Sequence, residues 1–109
     1  MFDVFTAAIA NRTKVILTFF SKEDDDVLVR RCAPMDYGPS RRAGDNSNRF
    51  HFWDYDSDEH PHVLTLLPDQ VVSIQATTEG FEPAEFVTWH PIIWFYSRDW
   101  GAYSGTAAA

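Results

Sequence analysis

The stretch Arg49-Phe50-His51-Phe52-Trp53-Asp54-Tyr55 alternates in chemistry, and this limits what the chain can fold into. Successive side chains of a strand face opposite sides of a sheet. As a strand, the stretch puts Phe50, Phe52 and Asp54 on one face and Arg49, His51, Trp53 and Tyr55 on the other. The first face is expected to be core. The second mixes a cation, an imidazole and aromatic rings, a mixture that can hold a flat or anionic ligand. The same mixture also suits a face whose rings pack under their neighbours.

The rest of the chain repeats the short period. Lys14–Ser21 is predicted as a strand with Val15, Leu17 and Phe19 on one side and Ile16, Thr18 and Phe20 on the other. The charged run Lys22–Asp26 turns it into a second strand, Val27–Ala33, which Pro34 is expected to stop because proline gives no N–H to the ladder. Met35–Pro39 reads as a turn or bulge. Ser40–Asn48 reads as a polar loop carrying Arg41 and Arg42, either solvated or a basic flap over the central strand. After the acidic turn Asp56–Pro61 come strands at His62–Leu67 and Val71–Thr77, separated by Pro68-Asp69-Gln70. Only Phe2–Ala10, where Phe2, Phe5 and Ile9 recur at spacings of three and four, reads as a helix. Pro83–Phe86 is expected to open a single helical turn, and Ile92–Ser97 to form a last strand that closes the sheet. The aromatics from Trp89 to Trp100 either plug the fold or offer a surface to a partner. Residues 1–101 are expected as one domain and 102–109 as a flexible tail. Short strands joined by tight turns, with one short helix, predict a mainly β fold: a small, strongly bent SH3/Sm-like β-barrel.

Charge and cysteine content narrow the function. The formal net charge of −7 argues against a general grip on nucleic acid, and for occupation of a partner's basic surface. No apolar run reaches membrane-spanning length, and the single cysteine, Cys32, fits a reducing, cytoplasmic setting. No glycine loop for phosphates and no Gly-x-Ser-x-Gly elbow is present, so no enzyme is expected. His60-Pro61-His62 has a spacing that can chelate zinc, but it lies in a turn where charged groups are normally solvated. Asp54-x-Asp56-x-Asp58 lacks the glycine and glutamate of a calcium loop. No metal and no cofactor is expected.

Several motifs occur in a recognisable order: the helix with Ala7-Ala8-Ile9, the strand Val15–Phe20, the Arg-x-x-x-Pro strand end Arg30–Pro34, and Tyr37-Gly38. Phe50–Asp54, His62-x-Leu64-x-Leu66 and Gln70-Val71-x-x-Ile74 follow. Over residues 2–81 the chain resembles a WYL domain. That resemblance implies an Sm/SH3-like barrel and a regulatory role, often in phage defence, with a nucleic-acid-derived ligand. Phe-His-Phe stands at the family's Trp-Tyr-Leu strand, His62 replaces the arginine leading the next strand, and Gln70 replaces a second.

The expectation is therefore a non-enzymatic ligand-binding module sensing a nucleotide or short single-stranded nucleic acid. Its expected pocket is Arg31, Tyr37, Arg49, His51, Trp53 and His62. Arg31 and Arg49 would hold a phosphate, Tyr37 and Trp53 would stack on a base, and His51 or His62 would add hydrogen bonds. Arg31 is favoured over Arg30 because Cys32 and Leu28 then share the core face. The alternative is an acidic interaction protein, of the phage or mobile-element inhibitor type, that masks a partner's basic surface through Asp24–Asp26 and Asp54–Glu59. A protein partner or a homodimer is compatible with either.

Overall fold

A computed structural model describes residues 1–40, 42–57 and 59–108. Arg41 of the expected flap and Asp58 of the calcium-like spacing lie outside the described residues.

The helix α1 spans Phe2–Asn11 and buries Phe5, Ala8 and Ile9, the stripe its spacing predicts. Arg12 ends it in the left-handed conformation (φ 53°), turning its N–H back to the carbonyls of Ala8 and Ile9. β1 (Thr13–Ser21) then buries Val15, Leu17 and Phe19. The charged turn after it is held by Ser21 and Asp24, which exchange hydrogen bonds of 3.1 and 3.2 Å.

β2 runs from Asp26 to Pro39, so the expectation that Pro34 ends the strand is wrong. β2 pairs with β1 only through Cys32, and from Cys32 to Pro39 it pairs with β3 (Asn48–Asp54). At Pro34 the strand has one neighbour instead of two, and there a missing N–H is tolerated. A bulge between Pro34 and Asp36 shifts the register, as the sequence around Met35 suggests. It places Asp36 opposite His51 and Gly38 opposite Arg49.

β4 (His62–Leu66) pairs with β3, and a 3₁₀ turn at Pro68–Gln70 leads into β5 (Val71–Gly80), which pairs with β1. Gln70 fixes that turn: its side chain accepts from the Leu67 N–H at 3.1 Å and donates to the Phe20 carbonyl at 3.3 Å. The result is mainly β, a five-stranded antiparallel sheet in the order β4-β3-β2-β1-β5 with one short helix. β4 and β5 end that order, and no strand pairing among the described residues joins them.

The C-terminal third wraps back onto the sheet. Pro83–Glu85 forms the expected single helical turn. Ile92–Ser97 does not close the sheet: only Ile93–Trp94 is strand (β6), and it pairs in parallel with β7 (Thr106–Ala107) in a separate ribbon. Within the segment expected as a flexible tail, the N–H groups of Thr106 and Ala108 donate to the carbonyls of Ile92 and Trp94, each at 3.0 Å. Most of the aromatics pack inward. Phe81, Phe86, Trp94 and Trp100 are buried, and the Trp100 indole donates to the Ile9 carbonyl at 2.8 Å.

Candidate functional site

The parity expected for β3 holds: Phe50, Phe52 and Asp54 are buried, while Arg49, His51, Trp53 and Tyr55 are half-buried. The half-buried face is largely covered, because the C-terminal segment lies on it; a cleft of about 440 Å³ remains beside His51, lined by Asp36, Pro39, Trp89, His90 and Phe95. Phe86 stacks on Trp53, with centroids 6.0 Å apart and planes 22° apart, and the Tyr55 hydroxyl donates to Glu85 at 2.8 Å. The Phe95 ring sits on Gly38 so closely that a Cβ there would lie 2.5 Å from it. His51 Nε2 is 3.0 Å from the Gly38 carbonyl oxygen.

One charged clamp holds that cover down. The Arg98 side chain is fully buried, lying 3.9 Å from the Trp94 ring centroid and 4.4 Å from that of Trp100. It donates to the carbonyls of Met35 and Tyr96 and pairs with Asp36 at 3.3 Å. Asp36 also accepts the backbone N–H groups of Phe95 and Tyr96, both at 2.9 Å. Burial pushes the Arg98 guanidinium down to about 10, against the pull of Asp36.

The six residues expected to share a pocket are therefore divided. Tyr37 pairs opposite Phe50 and sits edge-on to it at 4.9 Å, so it lies on the core face, away from Arg49, His51 and Trp53. His62 pairs opposite Asp54, on that same core face. Arg31 bonds to Glu79 at 3.2 Å, and Arg49 to Asp45 at 2.9 Å. The Arg49 bond is strong enough to draw the Asp45 carboxyl down to about 2. The backbone of Arg31 lies beside Tyr55, whose N–H it accepts at 3.0 Å, six residues along the chain from Arg49. At ~3.3 Å per residue that is about 20 Å, too far for both arginines to grip one phosphate.

A second concavity lies on the other side of the sheet. A cleft of about 470 Å³ opens between the β1–β2 turn and the segment joining β3 to β4. Phe19, Leu28 and Leu64 give it apolar walls. Arg30, Asp54, His60 and His62 supply its chemistry, with Glu23, Asp24 and Glu59 at exposed positions. Arg30, not Arg31, is the arginine on this side, because it shares the face of Cys32 and Leu28. Its Nε pairs with Asp54 Oδ2 at 3.5 Å. Asp54 is 1% exposed, and burial raises its carboxyl above the usual range, against the backbone hydrogen bond from Asp56 and the charge of Arg30. His60 and His62 stand edge to face at 6.2 Å. Their Nδ1 atoms lie 3.1 and 3.2 Å from the carbonyl oxygens of Pro61 and His60. A carbonyl only accepts, so each Nδ1 carries the proton and Nε2 of the neutral ring is left as an acceptor.

Other chemistry-bearing groups are committed. Cys32 is fully buried, and burial holds its thiol protonated, unlike a nucleophilic cysteine. No group of three or more His, Cys, Asp or Glu side chains arranged to hold a metal occurs among the described residues. No helix among them is long and apolar enough to cross a membrane.

The sequence reading missed the Arg30–Asp54 pair and the Asp36–Arg98 clamp. The first was accessible, since an ionisable residue at the inward parity of a strand needs a partner. The second joins residues 62 positions apart, and no local pattern announces it.

No protein-family model and no curated protein matches the sequence. Among solved structures, a part of Proteasome accessory factor B/C (PafBC) of Arthrobacter aurescens is similar, with a TM-score of 0.57 and 19% identity. The match covers 81% of this chain but 13% of that one, so what the two share is the fold of one small module.

Proposed function

We propose that the chain is a WYL-like, non-enzymatic regulatory module that works by binding, and that the cleft beside Asp54 is where it binds. The motif order over residues 2–81 and the fold shared with part of PafBC support the WYL-like reading; a barrel-like curvature of the five-stranded sheet belongs to that reading. One observation carries the choice of site. Arg30, the arginine of the Arg-x-x-x-Pro strand end, and His62, which stands where the family has an arginine, come together across Asp54 in one cleft. Local sequence distance separates these residues, and the fold brings them to one place. The resemblance implies a nucleotide or short single-stranded nucleic acid as the family's ligand, whereas the acidic lining of this cleft favours an occupant of the opposite charge.

The test is a binding map. Adenine and guanine mononucleotides, a short single-stranded DNA and RNA, and a blocked basic peptide are titrated into isotope-labelled protein. The amide and histidine ring resonances are followed. A binder is expected to move His60, His62, Arg30 and Leu64 first. Shifts confined to Arg49, His51 and Trp53 would place the site on the covered face instead, and no shift with any probe would remove the binding reading.

A second reading is favoured by the −7 charge and the exposed carboxylates of Glu23–Asp26. In it the chain masks a basic surface of a partner by charge alone, without using the cleft.

A further inference from the structure

We infer that the cleft receives a basic side chain, arginine or lysine, presented by a partner protein. This rests on the reading of the cleft as the binding site and names its occupant.

The lining decides the sign of the ligand. Among the described residues the lining has four acidic side chains, Glu23, Asp24, Asp54 and Glu59, against one arginine, Arg30, and two histidines, His60 and His62. The Arg30 charge is already engaged by Asp54, the most deeply buried of the four. Glu23, Asp24 and Glu59 form no salt bridge with a lysine or arginine among the described residues. A phosphate entering here would meet carboxylate repulsion, and the one arginine of the described lining is already paired to Asp54.

The hydrogen-bonding inventory points the same way. Nδ1 of both His60 and His62 is turned to backbone carbonyls, so the acceptors of the lining are chiefly its carboxylate oxygens. A site rich in acceptors asks for donors. A guanidinium brings five in a planar fork, and an ammonium brings three. The apolar walls, Phe19, Leu28 and Leu64, suit the remaining part of such a side chain, because lysine and arginine lay their methylene stems along apolar surface while the charged head stays with polar groups.

A macromolecular source is favoured over a free small cation because the negative surface does not stop at the cleft. Asp25 and Asp26, beyond the lining, continue it along the exposed turn. A partner that inserts one basic side chain and carries others around it would match both parts.

The test uses the whole chain and a blocked pentapeptide, acetyl-Gly-Arg-Lys-Arg-Gly-amide, by calorimetry and by the resonances above. Binding that weakens with salt is expected, with histidine ring shifts at the cleft. The double variant Glu59→Gln/Asp24→Asn is expected to weaken it tenfold or more. The control Asp3→Asn/Asp69→Asn removes the same charge from exposed positions outside the lining and the acidic turn, and is expected to change it less than threefold. Circular dichroism confirms that each variant is folded. Equal weakening by both double variants would overturn the inference in favour of diffuse charge attraction. So would no peptide binding at all. Cleft shifts with a nucleotide or oligonucleotide but not with the peptide would overturn it while leaving the cleft as the binding site. Silence of the cleft toward every probe would remove both readings.

Discussion

The two faces of β3 make a direct comparison. Arg49, His51 and Trp53 hold the side chains that a ligand site would be drawn with, yet the chain's own C-terminal segment lies on them and Asp45 takes the arginine. Asp54, on the opposite face, looks like a polar residue stranded in a core, yet it borders a cleft that contains two histidines and an arginine. Residue type nominates a site, but coverage and ion pairing decide whether it stays available. Aromatic rings in particular serve packing and recognition through the same physics, so their presence does not choose between them.

The comparison breaks most easily at the clamp that keeps the first face covered. Arg98→Ala removes a fully buried cation from between two indoles and leaves the buried Asp36 without it. A loss of about 3–5 kcal/mol is expected in chemical denaturation, a large share of the stability of a small domain. Arg98→Lys should recover part of it, since it keeps the charge but loses the planar fork and the stacking. A loss below about 1 kcal/mol would mean that the segment is not fastened through Arg98, and the face carrying Trp53 would return as a candidate surface.

Much of this fold was legible because period carries it. The alternation of β3 placed Phe50 and Phe52 inward, the stripe of α1 placed Phe5 and Ile9, and the charged run after Ser21 marked a hairpin. The failures arise where a distant segment decides. Pro34 reads as a stop until one knows that β1 leaves β2 at Cys32. Ile92–Ser97 reads as a sheet strand until one knows that Asp36 takes the N–H groups of Phe95 and Tyr96. For the site, parity put Arg30 with Cys32, but the assumption that a ligand-facing arginine must oppose the core face led to Arg31. The cleft lies at the open end of that core face, where the strand ends leave Asp54 and His62 at the rim.

The second face can be probed through Asp54 itself. Burial raises its carboxyl, so the folded protein binds that proton more tightly than the unfolded chain does. Well below the ordinary carboxylate range both states are protonated and there is no penalty. As pH rises from the unfolded value, ~3.9, through the raised folded value, the penalty of an ionised buried Asp54 grows and then stays. Asp54→Asn lacks that titration. Its stability relative to wild type should therefore rise between about pH 4 and 7, by less than the Arg98 effect, as read from urea midpoints across that range. A fall over the same range would make the pairing with Arg30 stronger than the cost of burial, and the cleft's guanidinium would then be still more firmly occupied.

The smallest effect is the most informative about the first face. Arg49→Ala deletes a guanidinium whose partner, Asp45, is an exposed loop residue four positions away. Exposed pairs contribute little, so the melting temperature should move by about 5 °C at most. The pair's sign is set by Asp45: its carboxyl is held low in the folded state, so the contribution is present above the unfolded value and lost as pH falls toward about 2. Arg49 lies outside the cleft lining, so peptide affinity there should be unchanged within twofold. Trp53 is stacked under Phe86, and its fluorescence should report unfolding without reporting ligand. If instead Arg49→Ala removed binding of a single-stranded oligonucleotide while the protein stayed folded, a cation already paired to Asp45 would have been recruited by ligand. The covered face would then be the working one, and the C-terminal segment would have to move to expose it.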